Sequence, residues 1–186
     1  MMKGNVDLLE GLLRSGPEFN CRDEKGRTPL HLAVAEGHKA MVPALLDRGA
    51  DLSLRDGEYE ATPLHACAAL GRNEIAAILV SHGADVDARE TIYGMAPLHV
   101  AASMGNNALI ELLLSNCADI EVKDLNGFTP LHIAARMGPP ETAVLLLSRG
   151  ARFDQKSYKG FTPLFIAIHY GRPEIEEVLR SHGAIT

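Results

Sequence analysis

The feature that most constrains this chain is a four-residue phrase said five times. Thr28-Pro29-Leu30-His31 returns as Thr62-Pro63-Leu64-His65, Ala96-Pro97-Leu98-His99, Thr129-Pro130-Leu131-His132 and Thr162-Pro163-Leu164-Phe165, at intervals of 34, 34, 33 and 33 residues. A second phrase keeps step: Gly49-Ala50-Asp51, Gly83-Ala84-Asp85, Cys117-Ala118-Asp119, Gly150-Ala151 and Gly183-Ala184. A fixed period of this size predicts stacked units, each burying its apolar face against its neighbours. Function in such a molecule belongs to a surface rather than to an enclosed pocket.

One unit, 124–156, shows the local logic. Asp124-Leu125-Asn126-Gly127 has turn chemistry. Thr129 is suited to cap a helix whose first residue is Pro130. His132 falls at the third helical position, where Glu would complete a capping box, and its ring can make local hydrogen bonds that hold the turn. Gly138-Pro139-Pro140 ends this helix and begins a second, expected over 141–149, with Gly150 as its left-handed terminator. Alanines of the first helix, such as Ala33, Ala68, Ala101 and Ala134, allow close helix approach, and leucines of the second fill an outer layer.

Bulk properties narrow the function classes. Hydrophobic content of 46% with 23% charged residues is ordinary for a folded chain. No apolar run is long enough to cross a bilayer, and Met1-Met2-Lys3-Gly4 does not read as a secretory signal. A net charge of −6 argues against nucleic acid, where affinity comes mainly from neutralising phosphates. Three cysteines at unrelated repeat positions suggest reduced thiols, hence a cytoplasmic or nuclear setting. No P-loop, G-x-S-x-G or paired-cysteine zinc pattern occurs. The one-per-repeat histidines would lie on helices ~8–10 Å apart, too far for metal–nitrogen bonds of ~2 Å to bridge. No cofactor, metal or catalytic residue is expected.

The pattern D-x-x-G-x-T-P-L-H-x-A-A, then G-(H/N)-x-x-(I/V)-x-x-L-L, then G-A-D-(V/I), resembles the ankyrin repeat over about five units and nearly the whole chain. The resemblance implies an all-α ankyrin-repeat solenoid of helix-turn-helix units with β-hairpin fingers, and a non-enzymatic role in binding other proteins. The array is read as one domain over 1–186: a partial repeat at 1–22, repeats at 23–55, 56–89, 90–123 and 124–156, and a capping repeat at 157–186. Glu176 and Arg180, four apart on the last helix, would make its outer face polar. The segment from Gly4 to Gly16 reads as a second helix lacking its first, either a half-repeat cap or the start of a fragment of a longer protein; the second is preferred.

Several positions depart from the pattern. Ala96 replaces a capping Thr, at about 1 kcal/mol. Cys117 stands where a left-handed Gly is expected. Pro43 falls inside a second helix and should kink it, at about 3 kcal/mol. Glu60 replaces the turn Gly beside an extra residue near Asp56-Gly57, and a second extra residue precedes the finger at Ile92-Tyr93.

In ankyrin proteins the finger tips, the residue before T-P-L-H and the end of the first helix line the concave face. Here those columns hold all four tyrosines of the chain and two of its five phenylalanines. The expected partner-binding residues are Tyr59, Leu70, Ile92, Tyr93, Met95, Met104, Leu125, Phe128, Arg136, Met137, Tyr158, Lys159, Phe161, His169 and Tyr170. Tyr and Met are enriched at interfaces. The partner would be an apolar or aromatic-bearing peptide or protein surface, neither nucleic acid nor membrane, met by a monomer or by part of a larger chain. The alternative is a spacer within a longer array, its columns filled by ordinary repeat-to-repeat packing. Asn20 occupies the loop position where asparagines of ankyrin repeats can be hydroxylated, and is a candidate for that modification. An ordinary turn-stabilising Asn is the plainer reading of it.

Overall fold

The computed structural model describes residues 19–185. The half-repeat helix expected between Gly4 and Gly16 lies outside the described residues. Ten helices are described: α1 Pro29–Glu36, α2 Met41–Leu46, α3 Pro63–Leu70, α4 Asn73–Ser81, α5 Pro97–Met104, α6 Asn107–Ser115, α7 Pro130–Met137, α8 Pro140–Ser148, α9 Pro163–His169 and α10 Pro173–Ser181. They pair as the period predicts. The chain divides into two compact units between Asp85 and Val86, each described here by itself.

Each repeat begins in the same way. The capping residue is extended, for example Thr129 at φ −87° and ψ 168°, and proline opens the helix with its φ already fixed. The histidine at the third helical position folds back: the Thr129 N–H donates to Nδ1 of His132 at 3.1 Å, and the Thr129 hydroxyl lies 2.9 Å from the same nitrogen. Thr28 and His31 repeat the arrangement. At the degenerate cap the half that needs only backbone survives, since the Ala96 N–H still donates to Nδ1 of His99 at 3.1 Å.

In the first unit α1 packs on α2 and on α3, and α4 packs on α2 and α3. The core is Leu30, Val34, Val42, Leu45, Leu64, Cys67, Ala76 and Leu79, all essentially inaccessible. In the second unit α5, α7 and α9 form a row of first helices, and α6, α8 and α10 each pack against the first helix of their own repeat. Alanines 101, 102, 134, 135 and 167 sit where the first helices meet, and Leu109, Leu113, Leu146 and Leu179 fill the layer between rows. Burying each such leucine stabilises the stack by about 1.5–3 kcal/mol.

Three expectations change. The fingers are tight turns rather than β-hairpins, and no β-strand is present among the described residues. The turns are too short for a ladder, and each keeps about one closing bond, such as Asp124 N–H to Phe128 O at 2.9 Å. Pro43 does not kink a helix. The second helix of its repeat starts at Met41, which puts Pro43 in the first turn, where a backbone N–H has no intrahelical partner to lose. The effect of proline there is a six-residue helix in place of the nine-residue second helices elsewhere. The second helix of the 124–156 repeat is Pro140–Ser148, one residue earlier than its sequence suggests.

The strained positions are where the pattern places them. Among described non-glycine residues, Glu60 (φ 52°) and Cys117 (φ 66°) have positive φ, at the finger turn and the helix terminator. The Glu176–Arg180 pair forms at 2.8 Å on α10.

Candidate interaction surface

The fingers are organised by one acidic or hydroxyl side chain each. In the 124–156 repeat the buried Asp124 accepts from the N–H groups of Asn126 and Phe128, both at 2.8 Å. In the preceding finger, lengthened by one residue, Glu90 takes this place and accepts from Ile92 (2.6 Å), Tyr93 (2.8 Å) and Met95 (2.9 Å). The added methylene lets one carboxylate close the wider loop. In the last finger the Ser157 hydroxyl accepts from the Phe161 N–H at 3.1 Å.

Backbone bonds then tie the fingers of the second unit into a row. The Leu125 N–H donates to Tyr93 O at 2.9 Å, and the Tyr158 N–H to Asn126 O at 3.0 Å. This brings Ile92, Tyr93, Leu125, Tyr158 and Lys159 to adjacent tips, all exposed, with Tyr158 at 71%. Leu125 and Tyr158 also lie over the glycines of the fingers before them. A methyl group on Gly94 would sit 2.8 Å from Cγ of Leu125, and one on Gly127 2.8 Å from the Tyr158 ring. These two side chains therefore serve packing between fingers as well as facing solvent.

The second row is made by the ends of the first helices. Met104, Met137 and Tyr170 close α5, α7 and α9, and each is at least half exposed. Beside them stand Ser103, Arg136 and His169 at the preceding position. Arg136 is half-buried, and its Nε has no hydrogen-bond partner among the described residues. His169 is exposed, with its ring 5.1 Å from Tyr170 in an edge-on arrangement. Met95, Phe128 and Phe161 are half-buried, and their carbonyls are engaged within the fold. Tyr59 and Leu70, exposed at the matching positions, belong to the first unit.

Contacts between repeats form further ladders that reading the sequence misses. Nε2 of His99 donates to Phe128 O and Nε2 of His132 to Phe161 O, both at 2.9 Å, and in the first unit His31 reaches Ala61 O at 3.1 Å. Carbonyls can only accept, which puts a proton on Nε2, and Nδ1 of each ring accepts a backbone N–H, which leaves the imidazole neutral. Burial depresses all three pKa values, that of His132 to about 4. A second ladder runs through basic residues before the fingers. Arg22 donates to Arg55 O at 2.6 Å, Arg89 to Lys123 O, and Lys123 to Lys156 O at 3.1 Å. The signal for it is one basic residue per repeat, six or seven positions before the first residue of the T-P-L-H phrase.

Asn20 is exposed and belongs to a third ladder. Its amide oxygen accepts from the Asp51 N–H at 2.8 Å, while its amide nitrogen donates to Gly49 O at 3.2 Å. Asp87 and Glu121 accept from Asp119 and Arg152 N–H groups at equivalent places.

The model of ankyrin repeats (3 copies) matches residues 1–90 and 98–186. The chain belongs to the ankyrin-repeat family. Shorter stretches resemble curated proteins: 47% identity over 53 residues with a potassium channel of Oryza sativa subsp. japonica, and 50% over 54 residues with an ADP-ribosylation factor GTPase-activating protein of Arabidopsis thaliana. These cover 28% and 29% of this chain but only 7% of either relative. An ankyrin repeat-containing protein of Schizosaccharomyces pombe is 40% identical over 57 residues, 31% of this chain and 28% of that protein. The chain thus spans under a third of each. Ankyrin repeats are generally protein–protein interaction modules and typically non-catalytic. Among the described residues, no helix of this ankyrin-repeat protein is long and apolar enough to cross a membrane.

Proposed function

We propose that the second unit binds a peptide or protein surface carrying apolar or aromatic side chains and an acidic group. The observation that carries this reading is the double row of exposed apolar residues. Tyr93, Leu125 and Tyr158 stand at the finger tips, and Met104, Met137 and Tyr170 at the helix ends. Apolar side chains repeated at solvent-facing positions are costly unless a partner covers them. Methionine adapts its shape to the partner, and tyrosine offers a large contact area with few rotors. Arg136 and Lys159 supply positive charge to the same rows, and His169 adds an exposed ring that can hydrogen-bond. A chain with three unpaired cysteines fits a reducing cytoplasmic or nuclear setting.

The test is a random-peptide display selection on the folded chain, followed by titration of the selected peptides. Recovery of sequences combining aromatic and acidic residues supports the reading, provided that Tyr93→Ala/Met104→Ala/Tyr170→Ala abolishes binding while circular dichroism is unchanged. Affinity should fall only weakly with salt, because apolar burial carries most of it. A steep salt dependence, or equal binding by the triple variant, overturns it. Failure to select any peptide favours a spacer in a longer array.

A further inference from the structure

The two exposed rows of the second unit advance in equal steps. Met104, Met137 and Tyr170 close successive first helices, and Ile92, Leu125 and Tyr158 stand at successive finger tips. Buried alanines where these helices meet keep them at close packing distance, so each step is roughly 8–10 Å. A linear ligand lying along the rows must offer side chains at that interval. A β-strand does not, since side chains on one of its faces recur every ~6.6 Å. Nor is there a strand edge among the described residues for such a ligand to extend. An α-helix comes close only at every seventh residue, about 10.5 Å, and then drifts by ~20° each time. Polyproline II repeats at every third residue, about 9.3 Å, and its three-sided shape sets two edges against two rows at once.

The polar groups of the groove favour the same conformation. The hydroxyls of Tyr93, Tyr158 and Tyr170 have no hydrogen-bond partner among the described residues and are free to donate. A helix uses its carbonyls internally, whereas a polyproline II backbone leaves every carbonyl open to a donor. Proline supplies that conformation already ordered, which lowers the entropy lost on binding. Charge restricts the ligand further. Although the chain carries −6, the finger-tip and helix-end positions of this unit hold Arg136 and Lys159 and no Asp or Glu. Arg136 has no carboxylate partner among the described residues.

Building on the groove function argued above, we propose that the ligand is a proline-rich segment in the polyproline II conformation. Apolar side chains at every third residue meet Met104, Met137 and Tyr170. Tyrosine hydroxyls donate to its carbonyls, and an acidic residue beside the central anchor meets Arg136.

Fluorescence anisotropy of the 186-residue chain with three labelled synthetic peptides tests it. The first has leucine at every third position among prolines, with one glutamate beside the central leucine. The second holds the same residues with leucine at every other position. The third is an alanine-based helix with leucine at every seventh position. The first should bind about tenfold or more tighter than either of the others, which can seat fewer anchors. Tyr93→Phe/Tyr158→Phe/Tyr170→Phe keeps the rings and should weaken that binding by roughly tenfold through the lost hydroxyls. Arg136→Gln, or glutamine in place of the peptide glutamate, should each cost about threefold, and the two together no more than either alone. Preference for the second or third peptide, still abolished by Tyr93→Ala/Met104→Ala/Tyr170→Ala, overturns this proposal and leaves the groove standing. Binding of the first peptide that ignores the phenylalanine and Arg136→Gln variants overturns it as well. If none of the three binds, the proposal falls, and the display selection decides the groove separately.

Discussion

Nε2 of His132 and the carbonyl oxygen of Phe161 lie 2.9 Å apart, joining residues of successive repeats through a buried ring. The same imidazole uses Nδ1 to accept from Thr129, so one side chain caps its own helix and clasps the next finger. The bond at Nδ1 requires the neutral ring, whereas the Nε2 donor is present in either state. Protonation turns the Nδ1 acceptor into a donor facing another donor, inside a site that disfavours charge.

This arrangement makes stability depend on pH. The folded pKa of His132 is depressed to about 4 by burial, against an ordinary 6.5. Between those values the unfolded chain binds the proton that the folded chain refuses. Stability is therefore full above pH ~6.5 and declines as pH falls towards 4, by on the order of 3 kcal/mol from His132 alone. His31 and His99 are shifted in the same direction and add to the slope. Urea midpoints measured from pH 8 to pH 4 should fall in this window. Asp23 and Asp51, depressed below their ordinary value, lose their contribution only at lower pH. His132→Gln should be less stable at pH 7 and show a shallower slope.

Ala96→Thr should stabilise the chain by about 1 kcal/mol. The backbone half of the cap is already present through His99, and the missing half is a hydroxyl. Room for it is shown by Thr28, Thr62 and Thr129, which are buried at the same position. Thermal unfolding of the single variant measures the gain.

Cys117→Gly and Glu60→Gly should each stabilise by roughly 0.5–1 kcal/mol. Relief of left-handed strain, about 1–2 kcal/mol, is partly offset by the greater freedom of glycine in the unfolded chain. Gly150 occupies the position of Cys117 in the next repeat at φ 94°, so the backbone there accepts glycine. Chemical denaturation of each variant measures the gain.

Gly127→Ala and Gly150→Ala should differ. Both positions have positive φ, so both lose on the order of 1 kcal/mol to strain. A methyl at Gly150 meets nothing within 4 Å, whereas one at Gly127 would lie 2.6 Å from the Tyr158 nitrogen. The second substitution must push two fingers apart. It should cost about 1–3 kcal/mol more and loosen Tyr158, while the first leaves the finger row intact. Paired unfolding curves decide between them.

Much of this is legible in the residues. Thr129, Pro130 and His132 specify a helix start by chemistry within four residues, so the helix pairs follow from the repeated phrase alone. Glu60 and Cys117 are recognisable as strained because a period shows which positions expect glycine. Pro43 is the misleading residue, since its cost depends on where the helix begins, and that boundary lies at Met41. The columns name the exposed apolar positions of the second unit. They do not show that Leu125 and Tyr158 rest on Gly94 and Gly127 as packing floors.

The period, the starts of the first helices and the turn positions were determined by the sequence itself, because each rests on bonds and dihedral preferences spanning a few residues. The tertiary structure alone decided what joins one repeat to the next: His132 to Phe161, Lys123 to Lys156, Leu125 to Tyr93. These partners lie about thirty residues apart in the chain. Their meeting depends on how closely two folded units approach, a distance set by the packing of every side chain between them.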